Sequence, residues 1–134
     1  MIKYYYKNKL SNQNVTTKPN IVWAADCTSL DLGILLKINL FLCLDISTNL
    51  IIAYKFSKKI IKSRQVTDAL NLNKKFTIKP KRKLIIYTDR GTQFSSQAYN
   101  KFVENYKDIF EPSMSRHRTS NDNLVNIALH CSNY

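Results

Sequence analysis

One apolar run limits the fold more than any other feature. Ile21 to Thr28 reads Ile-Val-Trp-Ala-Ala-Asp-Cys-Thr and is apolar on both of its alternating faces. A strand of that kind belongs in the middle of a sheet covered on both sides, the usual setting of α/β proteins. Asp26 is its one charge. Burying an unpaired carboxylate is costly, so Asp26 needs a partner, a proton or a cation. Strand alternation sends Trp23 and Cys27 to the opposite face. Trp23 is expected as core packing and Cys27 as a small buried hydrophobe.

A second stretch completes the pattern. Leu84 to Phe94 reads Leu-Ile-Ile-Tyr-Thr-Asp-Arg-Gly-Thr-Gln-Phe. It predicts a short buried strand with Asp89 where the strand runs out. Gly91 follows, and glycine tolerates backbone angles that other residues avoid. Thr92, Ser95 and Ser96 are candidate caps for a helix over Ser95 to Tyr106. Its Ala98, Tyr99, Phe102, Val103 and Tyr106 recur at the spacing of a core-facing helix. Asp89 alone has two readings. Aspartate is a common turn former; a carboxylate at the end of a buried strand is also placed to hold a metal or a proton.

The remaining elements follow in order. Asp31, Leu32 and Gly33 predict a turn, Ile34 to Ile46 a second strand and Leu50 to Phe56 a third. Ser47, Thr48 and Asn49 form the hairpin turn between those two, with Asp45 as a turn contact. Ser63 caps a helix to about Leu72, with Val66, Ala69 and Leu70 inward. Ile109 to Met114 is a last short strand. Asn121 or Asp122 starts a final helix through His130. Residues 1–18 are expected as a loosely ordered basic arm, in which Tyr4, Tyr5 and Tyr6 lie among Lys3, Lys7 and Lys9. That mixture suits base stacking and phosphate pairing. Residues 19–134 form one domain.

The formal net charge is +12, from 21 Lys and Arg against 9 acids. Such an excess points to a polyanion, most simply nucleic acid, although an AT-rich coding bias produces the same abundance of Lys. Lys79, Lys81, Arg82 and Lys83 lead into the Asp89 strand, and Arg90 adjoins it. Arg116 and Arg118 flank His117, which reads as a surface residue. Together these cations are the expected DNA contacts. No apolar run approaches the roughly 20 residues of a membrane span, and the start lacks a signal-peptide core. Cys27, Cys43 and Cys131 are widely spaced, without a Cys-x-x-Cys pair. They give no zinc or disulfide framework, and a reducing cytoplasm is expected.

The ordered blocks resemble the DDE-type integrase core of bacterial insertion-sequence transposases, which is similar to the retroviral integrase core. Pro19-Asn20-x-x-Trp23-x-x-Asp26-x-Thr28 matches the family's first block. Leu44-Asp45-Ile46 with Ile51-Ile52-Ala53-Tyr54 matches its hairpin. Thr88-Asp89-Arg90-Gly91-Thr92-Gln93-Phe94 with Ser96 matches the block around its second aspartate. Ser113-Met114-Ser115-Arg116 and Asp122-Asn123 match the approach to its last acid.

The resemblance implies a ribonuclease H-like α/β fold, with a central mixed five-stranded sheet flanked by helices. It implies Asp26 and Asp89 as catalytic and metal-holding residues, with Mg2+ or Mn2+ as cofactor. Implied partners are DNA and a homo-oligomer or full-length transposase subunits, with no membrane. The family's glutamate falls on Ile127, and no Glu follows Glu111. An isoleucine cannot ligate a cation. The expectation is therefore a core incomplete at its C-terminus, with the fold kept and strand transfer weak or absent. The alternative is an inactive DNA-binding or subunit-pairing module.

Overall fold

The structure, a computed structural model, describes residues 3–7, 19–72 and 83–115. Five strands and two helices follow one another as β1 (Val22–Asp31), β2 (Lys37–Asp45), β3 (Ile51–Ser57), α1 (Ser63–Leu72), β4 (Leu84–Thr88), α2 (Gln97–Asn105) and β5 (Phe110–Met114). The sheet order is β3-β2-β1-β4-β5. β1 to β3 form an antiparallel meander, while β4 runs parallel to β1 and β5 parallel to β4. This is the mixed five-stranded sheet of a ribonuclease H-like fold.

The apolar run of β1 is explained by its central place. Val22, Trp23, Ala24 and Ala25 are all buried. Trp23 and Ala25 share one face with Phe41, Cys43 and Ile86, and pack under Val66, Ala69 and Leu70 of α1 and Tyr99, Phe102 and Val103 of α2. Smaller buried groups, Val22 with Ile85 and Tyr87, and Leu42 with Leu44, occupy the other face. β5 is an edge strand, which explains how it accommodates Pro112: an edge tolerates the missing N–H.

Helix α1 and its inner face match the sequence reading, with Thr67 also buried. Of the candidate caps, Ser96 starts α2: its Oγ accepts the Tyr99 N–H at 3.2 Å. The first connection differs. β1 runs on to Asp31 and β2 begins only at Lys37, so Ile34 to Leu36 belong to the turn rather than to a strand. Gly33 at φ 127° and Leu35 at φ 67° reverse the chain there, and the Leu32 N–H donates to Leu36 O at 2.9 Å. Ile34 and Leu35 are 95% and 100% exposed. Their apolar character imitated a strand, but the pairing ends at Asp31 and Lys37.

Residues 3–7 also differ from a loose arm. The Tyr4 N–H donates to Ser95 O at 2.8 Å, and Tyr6 Oη to Asn100 Oδ1 at 2.6 Å. The expected helix from Asn121 or Asp122 to His130 lies outside the described residues. Among the described residues no helix is long and apolar enough to cross a membrane.

Candidate active site

The parallel ladder between β1 and β4 sets the site. It pairs Val22 with Ile85, Trp23 with Ile86 and Ala24 with Tyr87. The ladder ends at Ala24 and Tyr87, and Asp26 and Asp89 each lie two residues past that last pair, Asp26 within β1 and Asp89 just after β4. Asp26 is 7% exposed; Asp89 is half-buried, one residue past β4. The Cys27 thiol is pushed up to about 12, first by burial, then by the negative charges of Asp26 and Asp89.

The turn after β4 fixes Asp89. Its Oδ1 accepts the Gly91 N–H at 2.8 Å. Gly91 O in turn accepts the N–H groups of Phe94 and Ser95, both at 3.0 Å. The Ser115 N–H ties the end of β5 to Thr88 O at 2.8 Å, and Gln93 Nε2 donates to Ile61 O at 3.3 Å. The need for glycine at 91 is not the one expected from its backbone freedom, since Gly33 alone among the described glycines has a positive φ. The need is for space. A Cβ at Gly91 would stand 2.9 Å from Asp89 Oδ1 and 3.1 Å from Gln93 Oε1. Asp89 is thus a turn former through Oδ1.

Arg90, the next residue, is engaged by Ser115 and Tyr5. Its Nε donates to Ser115 O at 3.1 Å, and its guanidinium lies over the Tyr5 ring, 5.3 Å from the centroid. Lys83 is exposed at the other end of β4, about 20 Å from Asp89 at the usual rise per strand residue. Lys79, Lys81, Arg82, Arg116, Arg118 and Ile127 lie outside the described residues. A cavity of about 230 Å³ is lined by Cys27, Ser29, Asn39, Ile61 and Gln93 among others; neither Asp26 nor Asp89 is in its wall. Cys27 is therefore a half-buried wall residue rather than a fully buried hydrophobe. Among the described residues, no group of three or more His, Cys, Asp or Glu gathers that would hold a metal.

A third acid in the sheet has a different job. Asp45 is 2% exposed. It accepts the Asn20 N–H at 2.7 Å, and the Ser47 N–H and hydroxyl, each at 2.9 Å. Asn20, at φ 58°, also accepts the Trp23 indole N–H at 3.3 Å. This clamp closes the entry to β1 onto the end of β2. The turn role expected for Asp45 holds; the link to Asn20 was missed. Its only sequence signal is the Pro19-Asn20-x-x-Trp23 spacing.

Residues 16–120 match the integrase core domain family. The chain belongs to that family. Solved structures agree with the membership at the level of fold. The integrase core described here superposes on a chain of the simian T-cell lymphotropic virus intasome in complex with PP2A regulatory subunit B56 gamma with a TM-score of 0.67. Sequence identity is 14%, over 97% of this chain and 41% of that one. The magnesium-bound HTLV-2 integrase catalytic core in its dimeric form gives a TM-score of 0.59 and 23% identity, over 84% of this chain and 66% of that one. The catalytic domain of the Mos1 mariner transposase gives 0.62 and 16%, over 85% and 60%. No curated protein matches the sequence. This integrase core thus spans less than half the length of the intasome chain, and its fold is that of the integrase and transposase catalytic cores just named.

Proposed function

We propose that this integrase core is a metal-dependent polynucleotidyl transferase domain acting on DNA, with Asp26 and Asp89 as its cation-holding acids. The observation that supports this reading is the parallel β1–β4 register: continued two residues past Ala24 and Tyr87, it would set Asp26 opposite Asp89, 63 positions apart in the sequence. Hard divalent cations such as Mg2+ take oxygen ligands, mainly carboxylates and waters. Two carboxylates at the end of a central sheet fit that demand, and Mg2+ or Mn2+ is the fitting choice. A bound ion of this kind supplies charge stabilisation to a reacting phosphoryl group and activates the attacking oxygen.

The chain's own residues do the rest. The Gly91 N–H fixes the Asp89 carboxylate in one orientation. Arg90 contributes a cation on the turn that follows β4, and Lys83, exposed before β4, meets DNA phosphates, a contact the sequence also predicts for Lys79, Lys81 and Arg82. Pairing with a second copy, or with full-length transposase subunits, completes the proposal.

Ile127, at the position where the resemblance places the third acid, favours a second reading. In it the domain binds DNA, or pairs with other subunits, and cuts poorly or not at all. Purified protein separates the readings. For the first, Mn2+ raises the melting temperature of the wild type but not of Asp26→Asn or Asp89→Asn, and slow nicking of plasmid DNA disappears in Asp26→Ala. Salt-sensitive DNA binding with neither metal response nor nicking selects the second. Preferential cleavage of an RNA–DNA hybrid would instead mark a ribonuclease H-type hydrolase.

A further inference from the structure

We propose that Tyr5 and Arg90 form a stacking platform for an unpaired base at the end of a DNA strand, beside the Asp26–Asp89 pair. The proposal rests on the DNA-processing reading and adds a contact that the acids and the basic segment do not supply.

The platform is built from an arm that alternates. Tyr4 and Tyr6 face the body and are part-buried, whereas Lys3, Tyr5 and Lys7 face outward and are exposed. The inward pair holds the arm down. The Tyr4 N–H donates to Ser95 O at 2.8 Å, Tyr6 Oη donates to Asn100 Oδ1 at 2.6 Å, and the Tyr6 N–H points at Met114 Sδ at 3.4 Å. The Tyr6 ring also meets Tyr99 edge-on at 6.4 Å. Period-two anchoring of this kind leaves Tyr5 no freedom to turn inward.

Tyr5 therefore stays 52% exposed, although burying an aromatic ring is favourable. What it meets is Arg90, whose guanidinium stands 5.3 Å from the ring centroid while its Nε is fixed by Ser115 O. Two planar π-surfaces, one of them cationic, are thus held in place by separate parts of the fold. Lys3 and Lys7 flank them on the same outward side of the arm. An exposed aromatic among fixed cations is the surface on which bases of single-stranded nucleic acid stack while their phosphates are neutralised. Paired bases inside a duplex offer no free face to it, so the ligand is an unpaired end. Arg90 follows Asp89 directly in the chain, so the platform's cation is carried by the same turn as the second acid of the proposed pair.

The test compares two fluorescently labelled duplexes of equal length, one blunt and one with a short 3′ single-stranded overhang. The whole chain is used, in chelator, so that no metal enters the comparison. Wild type is expected to bind the overhang more tightly. Tyr5→Ala and Arg90→Ala are expected to lower overhang affinity about tenfold, the loss of one stacked base. Tyr5→Phe keeps the preference, and Tyr5→Ala leaves blunt-duplex binding unchanged. Matching circular dichroism and melting curves establish that each variant folds. An equal loss on both duplexes in Tyr5→Ala, or no loss on either, overturns the platform. A wild type that binds both duplexes equally also overturns it, while leaving the DNA-processing reading intact. Binding to neither overturns both.

Discussion

The Gly91 N–H donates to Asp89 Oδ1 over 2.8 Å, and a Cβ at Gly91 would stand 2.9 Å from that same oxygen. One residue therefore fixes the carboxylate by what it donates and by what it lacks. Gly91→Ala keeps the donor and adds the clash. Crowding of this kind typically costs about 1–3 kcal/mol, relieved here by displacing the Asp89 carboxylate. The expected result is a urea midpoint lowered by that amount, together with loss of most of the Mn2+-induced rise in melting temperature. Unchanged stability and an unchanged Mn2+ response would show that the turn yields without moving Asp89.

Asp45 and Asp26 lie on paired antiparallel strands, yet their substitutions should part company. Asp45→Ala removes the acceptor of three hydrogen bonds, from the Asn20 N–H and from the N–H and hydroxyl of Ser47. Stranding buried donors costs about 1–3 kcal/mol each where water cannot reach them, so a loss of about 2–4 kcal/mol is expected in urea unfolding. The Mn2+ response per folded molecule should persist. Asp26→Asn should do the reverse, with the metal response gone and stability nearly kept. If Asp45→Ala also abolished the metal response, Asp45 would have to be counted with the acids of the site.

The contrast between those two acids shows how far the sequence could be read. β1 and β4 were legible because their apolar runs leave little choice of environment, and each acid interrupts or ends its run. Helix α1 was legible from Ser63 to Leu72 through its periodicity, although Ser63 is its first helical residue and the cap position falls on Lys62, whose N–H donates to Gln65 Oε1 and whose O accepts the Val66 N–H. The β1–β2 turn was not, since Leu32 and Ile34 to Leu36 carry strand-like side chains while the φ of Gly33 and Leu35 reverses the chain. Nor was the requirement at Gly91, because a steric demand set by a neighbouring carboxylate leaves no local pattern. The Asn20–Asp45 clamp joins residues 25 positions apart, and no periodicity reports such a contact.

Tyr99 carries a buried hydroxyl that has no hydrogen-bond partner among the described residues. Its ring is fully engaged, edge-on to Phe94 at 5.5 Å and stacked with Phe102 at 6.2 Å. Burial raises its pKa strongly, so the hydroxyl stays neutral and its unmet desolvation is the whole cost. Removing a buried polar group that makes no bond relieves about 1 kcal/mol or more. Tyr99→Phe is therefore expected to stabilise the fold by about that amount in urea unfolding. Destabilisation by a similar amount would show that the hydroxyl has a partner in solution.

The arm offers a pH signature. Tyr6 Oη donates to Asn100 Oδ1 at 2.6 Å, and its pKa rises from 10.0 to about 12, through burial first and then the charges of Glu104 and Tyr4. The folded state thus holds the phenolic proton more tightly than the unfolded chain. The sign follows from linkage: the contribution is fully present below pH 10 and is lost as pH climbs toward 12. Tyr6→Phe removes the titrating group and one hydrogen bond, at a cost of about 0.5–1.5 kcal/mol near neutral pH. Its stability should then fall less steeply than wild type between pH 10 and 12. Because Tyr6 anchors the arm that carries Tyr5, the same variant should weaken overhang binding at neutral pH while sparing blunt duplex. Tyr6→Phe with parallel alkaline unfolding curves and full overhang affinity would mean that the arm is held by its backbone contacts alone.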